Sequence, residues 1–346
     1  MSHKNFKYYI NTIFLKSNAQ MYDWADRLQL WETSKKQIQA AFEKMYSKHF
    51  SRNKTDINSS FSKEYVPYRF FSKATDFEQN LMLNTEGVAT HFLDAPNVSE
   101  NPLIPAYFGL VCYNDFLLNK NEDSLTKFWS QTKHLETIGI QKNETLLYFY
   151  KEDFALFDVK SPWYSGITQG LVTSVFARAF DLSKNAVYKE KARQAIEAMF
   201  IPVENGGVFC KTPEGFDWVE EYPSVSRRSL VLLGFIFSIA AIYEYLILCG
   251  EDKSLEKRLE KLIESLFKSL HHYIRGRFVK YSRFSKAFQN LNYQGLIVFQ
   301  FLHLYELSDN KAFFDLALMF HKNTDLEAFY RFHNLTRPSN LDYFNA

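Results

Sequence analysis

Two adjacent carboxylates and a tyrosine, Glu220-Glu221-Tyr222, leave a turn-rich stretch shortly before a pair of arginines, Arg227 and Arg228. Carboxylates and tyrosines exchange protons, and guanidinium forks grip carboxylates at two points, so the grouping has parts for proton transfer beside an anion. The same charges could equally form a surface salt-bridge network. Further along, Tyr281 and Arg283 close another extended stretch, and Tyr293 opens the helix that follows. Trp163-Tyr164 stand at a third helix entry, behind Ser161-Pro162. Those rings could stack on a sugar or plug the helix end.

Other chemistries lack their parts. The chain has no Gly-rich phosphate loop, no GxSxG elbow and no HExxH zinc pattern. Cys112, Cys210 and Cys249 lack metal-ligand spacing, and His271-His272 reads as structural, so neither a metal nor a cofactor is expected. A formal charge of +2 with no basic stripe argues against nucleic acid, yet leaves room for a local cluster facing an anionic substrate. Aromatic residues make up 17% of the chain, and most must fill the core. The opening MSHKNFKYYINTIFLKSNAQ has no continuous apolar run, so no signal peptide is read and a cytoplasmic location is expected. Asn143-Glu144-Thr145 therefore carries no glycosylation argument.

These residues need a frame. Apolar periodicity predicts a helix over 17–48, then polar, irregular chain with some extended pieces over 51–95. The first helix carries Met21, Trp24, Leu28, Trp31, Ile38, Phe42 and Met45, a stripe that packs on its own domain or forms a dimer seam. Helical stretches follow near 104–119, 165–182, 185–201, 227–249, 253–273, 291–307 and 310–322. Between them 146–158, 206–223 and 272–284 each read as two short strands around a turn. Residues 230–248 are apolar enough to span a bilayer, but Gly234 and Glu244 favour a buried helix over a membrane span. Paired helices with hairpins gathered at one rim describe an all-α fold, an (α/α) toroid over 96–346, with 1–95 as a lead segment packed on it.

SPWYSGITQGLVTSVFARAF, GGVFCKTPEGFDWVEEYP and LLGFIFSIAAIYEY, preceded by LIPAYFGLVCYNDFL, resemble in order and spacing the catalytic domain of the D-glucuronyl C5-epimerases of heparan sulfate and heparosan. The resemblance covers about residues 100–325. It implies an acidic polysaccharide as partner and Tyr222, Glu221, Tyr281 and Tyr293 as the catalytic set. The family's histidines after the third tyrosine are Gln294 and Ile297 here, and its Asn before the Gly-Phe pair is Leu233.

C5 epimerisation removes a proton beside a carboxylate and returns one to the opposite face, so two proton carriers and a cation for the carboxylate are required. Tyr222 with Tyr281 or Tyr293 would be the pair, and Glu221 would move a proton or orient a tyrosine. Arg227, Arg228 and Arg283, with Arg178 as a weaker candidate, would hold carboxylates. Trp163, Tyr164, Gln169 and Glu220 would line the sugar groove. A polysaccharide lyase, which starts with the same proton abstraction, and a binding or assembly protein with a degenerate site remain open, as does a homodimer. With no signal peptide read, the expected setting is surface-polysaccharide biosynthesis on soluble precursors.

Overall fold

The computed structural model of the chain describes residues 31–50, 57–58, 60–69, 71, 73–93, 101–275, 278–284 and 291–323. Its helices are α1 (Trp31–Phe50), α2 (Ala74–Glu78), α3 (Leu103–Asn119), α4 (Glu122–Ile138), α5 (Gly166–Ser183), α6 (Ala186–Ala198), α7 (Leu232–Cys249), α8 (Lys253–Ser269), α9 (Leu291–Ser308) and α10 (Lys311–Asn323). From α3 onward they pack as successive hairpins, α3–α4, α5–α6, α7–α8 and α9–α10. The first members lie side by side as an inner wall and the second members back them, which is the (α/α) toroid. A 3-10 turn at Val66–Tyr68 packs against both α3 and α9 and closes the wall.

Composition explains which helix goes where. Every residue of α7 except Ile247 is buried, because an inner helix has neighbours on all sides. The span-length apolar stretch is thus a core helix, with 94% of its most apolar window inside the protein. The outer α8 has one apolar face, Leu255, Leu259, Leu262, Ile263 and Leu266, with Lys257 and Lys261 in solvent. Asp252 caps it by accepting from the backbone N–H groups of Ser254 and Leu255. In α1, Phe42 and Phe50 are buried, and Phe50 packs on Phe267 and Phe313, so this part of the stripe covers its own domain. Met21, Trp24 and Leu28 lie outside the described residues.

The strands come in antiparallel pairs: β1 (Leu81–Leu83) with β2 (Ala89–Phe92), β3 (Ile140–Lys142) with β4 (Thr145–Leu147), β5 (Phe149–Tyr150) with β6 (Trp163–Tyr164), β7 (Phe209–Lys211) with β8 (Asp217–Val219), and β9 (Ile274–Arg275) with β10 (Phe278–Val279). The hairpins expected in 206–223 and 272–284 are present. The stretch 146–158 is not a hairpin: β4 pairs backward, β5 pairs forward, and residues 151–160 form a strap between β5 and β6. The helix expected to begin at 227 begins at Leu232, because Leu230 has φ +44° and breaks it. Helix α4 was not anticipated at all. Pairs β5–β6, β7–β8 and β9–β10 each precede an inner helix, so all three open onto one rim.

Candidate active site

The rim brings Glu221, Tyr222, Tyr281 and Tyr293 together. Glu221 is 7% exposed, and its Oε2 accepts from the Gly234 N–H at the start of α7, 3.1 Å away. The Tyr281 hydroxyl lies 3.4 Å from Glu221 Oε1 and donates to the Tyr222 hydroxyl at 3.1 Å. The Tyr293 ring is 6.2 Å from that of Tyr281 and is 39% exposed. Burial pushes the Glu221 carboxyl up to about 7, against the hydrogen bonds from Tyr222, the Gly234 N–H and Tyr281, which favour its charge. Burial, then the neighbouring Glu221, pushes both Tyr222 and Tyr281 well above the ordinary tyrosine range. At neutral pH both phenols therefore keep their protons, and the Glu221 carboxyl takes up a proton far more readily than an exposed glutamate does.

Backbone contacts fix the carboxylate. Ser165, the residue before α5, donates from Oγ to the Glu221 carbonyl at 2.6 Å. Gly234 is needed for close approach: a Cβ there would fall 2.7 Å from Glu221 Oε2 and 2.8 Å from its Cβ. Gly234→Ala is expected to destabilise the protein by about 1–3 kcal/mol, as overpacking does in a dense core. Thermal denaturation checks this, and an unchanged midpoint would contradict it.

The remaining residues singled out in the sequence are spread more widely. Trp163 is 7% exposed, its ring 6.0 Å from that of Tyr222 and its Nε1 donating to the Glu152 carbonyl. Tyr164 is fully buried and donates to the Ala198 carbonyl at 2.9 Å, so it fills the α5–α6 junction. Gln169 is also buried, its Nε2 donating to the carbonyls of Leu146 and Ala195. Glu220 turns away from the tyrosines and accepts from the backbone N–H groups of Ser229 and Leu230.

The arginines divide the same way. Arg283 is held at two points by Glu214, and Arg228 is paired with Glu204 and donates to the Ser224 carbonyl. Arg178 is fully buried on Glu244. Arg227 is exposed and makes no ion pair with a described residue.

Sequence reasoning missed Phe154 and Phe157. These strap residues stack on Tyr222 with ring centroids 4.6 and 4.8 Å away, and Phe157 also approaches Tyr281 at 6.1 Å. Only the aromatic spacing of FALF could have marked them. A cavity of about 530 Å³ lies to one side, between α1 and the β7–β8 turn, lined by Lys36, Glu214, Phe216, Lys268 and His272 among others. Among the described residues no group of His, Cys, Asp and Glu could hold a metal ion.

Comparison with known proteins bears on both fold and family. Cellobiose 2-epimerase from Spirochaeta thermophila superimposes with a TM-score of 0.50 at 11% identity, over 85% of this chain and 86% of that one. The Lin0763 protein from Listeria innocua superimposes with a TM-score of 0.51 at 13% identity, over 75% of this chain and 70% of its own. At such identities the likeness speaks for the toroid alone. The model of the family described as D-glucuronyl C5-epimerase C-terminus matches residues 142–322, just over half of the chain. That span contains the whole cluster, Glu221, Tyr222, Tyr281 and Tyr293 included, and the chain therefore belongs to the D-glucuronyl C5-epimerase C-terminal family.

Proposed function

We propose that the protein epimerises C5 of a hexuronate within an acidic polysaccharide. The observation that carries the reading is a buried Glu221, near-neutral in pKa, joined to a pair of tyrosine hydroxyls, with the Tyr293 ring 6.2 Å from that of Tyr281. Proton transfer needs each carrier about 3–3.5 Å from the carbon. The Tyr222 and Tyr281 hydroxyls, 3.1 Å from each other, are too close to lie on opposite faces of one sugar ring. The geometry favours Glu221, Tyr281 and Tyr222 as one proton-carrying unit on one face and Tyr293 as the carrier on the other.

The C5–H bond breaks and its proton ends on Glu221, while the electron pair moves onto the C6 carboxylate. The electron pair returns to C5 as Tyr293 gives its proton to the opposite face; Tyr293, being exposed, recovers a proton from solvent, and Glu221 passes the abstracted one out through the Tyr281 and Tyr222 hydroxyls. The charge growing on the carboxylate needs a cation. Arg227, exposed and five residues after Tyr222, is the guanidinium assigned to supply it, and Arg283 would have to leave Glu214 to do so.

Incubation with heparosan tests the reading. Iduronate signals by NMR, without chain shortening, are expected. Unsaturated, ultraviolet-absorbing ends would replace the reading by a lyase, and binding without either product would replace it by a carbohydrate-binding role. The pH profile follows from Glu221. Its basic form is lost as pH falls through about 7, so kcat/KM should fall about tenfold per pH unit below about 6. A flat profile between pH 5 and 8, a range set around ~7, would show that another group is the base. Tyr293→Phe is expected to lower turnover by about 10²–10⁴-fold with the fold intact, and full activity would remove it from the opposite face.

A further inference from the structure

Glu220 is fully buried, and its carboxylate is filled mainly by one short segment of chain, with the Cys210 thiol donating to Oε1 from 3.8 Å. Oε1 accepts from the Ser229 N–H at 2.9 Å, and Oε2 accepts from the Leu230 N–H at 2.8 Å and from the Ser229 hydroxyl. Leu230 is held at φ +44°, a left-handed conformation that a leucine keeps only when its surroundings impose it. The Leu230 carbonyl accepts from the Tyr273 hydroxyl at 2.6 Å and from the Arg283 N–H at 3.3 Å. Val231 then bridges Ser282, the residue after Tyr281. On its other side the Glu220 backbone accepts from the Gly166 N–H at the start of α5 and donates to the Val208 carbonyl. The side chain next to Glu221 thus ties the strand end that carries Glu221 and Tyr222 to the segment that carries Tyr281.

We propose that Glu220 is a positioning residue, which acts through the Ser229–Leu230 turn to hold Tyr281 against Glu221 and Tyr222. It touches no reacting atom. Its carboxylate sets the backbone position of residues 281–283, and so the hydroxyl contacts on which the proposed proton transfer depends.

The test uses full-length protein labelled with ¹³Cζ-tyrosine, with the Tyr281 resonance assigned through Tyr281→Phe and that of Tyr46, on α1, as a remote control. In Glu220→Gln the carboxamide nitrogen must face an N–H donor, so the turn loses its anchor. The expected result is a shifted or split Tyr281 resonance with Tyr46 unmoved. Ser229→Ala, which removes a single donor, should move Tyr281 in the same direction by less. If Glu220→Gln does not fold, Ser229→Ala decides alone: a moved Tyr281 supports the proposal and an unmoved one overturns it. A folded Glu220→Gln with Tyr281 unmoved, or with Tyr46 moved as much as Tyr281, also overturns it. Kinetically, kcat should fall more than tenfold with KM within twofold, magnitudes on the order expected for misplaced proton carriers. That arm rests on the proposed reaction, whereas the resonance needs no turnover. A wild type that fails to epimerise therefore leaves the Tyr281 result standing, and an unmoved Tyr281 in an active enzyme sinks this inference alone.

Discussion

Glu221→Gln is expected to lower proton exchange at C5 by about 10²–10⁴-fold, the range of a lost general base. Glutamine keeps the volume, and its amide oxygen can still accept from the Gly234 N–H, so the fold should survive. The same substitution should raise stability above neutral pH. The folded-state pKa of Glu221, about 7, lies above the unfolded reference of 4.5. The native state therefore binds more protons between those values, and stability falls as pH rises through that window. Removing the ionisable group relieves a cost of up to about 3 kcal/mol at pH 8, at ~1.4 kcal/mol per pKa unit. Exchange followed by NMR and denaturant melts at pH 5 and 8, values chosen about 7 as the midpoint, read both effects. Activity near the wild-type level would remove Glu221 from the chemistry, and an equal or lower stability at pH 8 would mean its carboxyl is not kept from ionising by burial.

Arg178→Ala is expected to cost about 3–5 kcal/mol, the penalty for orphaning one partner of a buried ion pair. Arg178, Glu244 and His303 each lie 12 residues beyond the first residue of α5, α7 and α9. At about 1.5 Å per residue this puts them roughly 18 Å from the rim, at the far end of the inner wall. Arg178 Nη2 is 2.7 Å from Glu244 Oε1, which is also 2.8 Å from His303 Nε2. The guanidinium faces Tyr65 and Tyr113, and Nε donates to the Lys63 carbonyl, so the lead segment seals this end. Burial opposes the Glu244 charge, but Arg178 and His303 outweigh it and hold the carboxyl down at about 2. Equilibrium unfolding checks the cost, and a loss under about 1 kcal/mol would contradict it. KM for the polysaccharide should stay unchanged, because Arg178 lies far from the proposed sugar site.

The toroid was legible because its helices announce themselves: α3, α5, α7 and α9 are nearly continuous apolar runs bounded by polar turns. Helix α4 was not, since its buried face includes Ser124, Gln131 and Thr132 beside Phe128 and Leu135. Gln131 earns that place by accepting from the Ala89 N–H and donating to the Gly87 carbonyl, partners that no local pattern shows. The strap was misread for a similar reason, because Phe149 of β5 finds its partner 15 residues on, at Tyr164. At the site, the EEYP stretch marked two acids beside a tyrosine, and it was the family resemblance, not the local pattern, that set Glu221 apart from Glu220. In extended chain neighbouring side chains point to opposite sides. Glu220 consequently meets the Ser229–Leu230 turn, and Glu221 meets Gly234 and Tyr281. The arginines were the least legible, because what occupies them comes from far along the chain: Glu214 for Arg283, Glu204 for Arg228 and Glu244 for Arg178.

In the proposed reaction protons cross both faces of C5, one through Glu221 and its tyrosines and one through the solvent-exposed Tyr293. The most direct measurement is NMR of heparosan recovered after incubation with the protein in deuterated buffer. The expected result is deuterium at C5 of newly formed iduronate, because the returning proton comes from a hydroxyl that exchanges with solvent. Heparosan that binds yet returns with protium at every C5 and no iduronate would contradict the account.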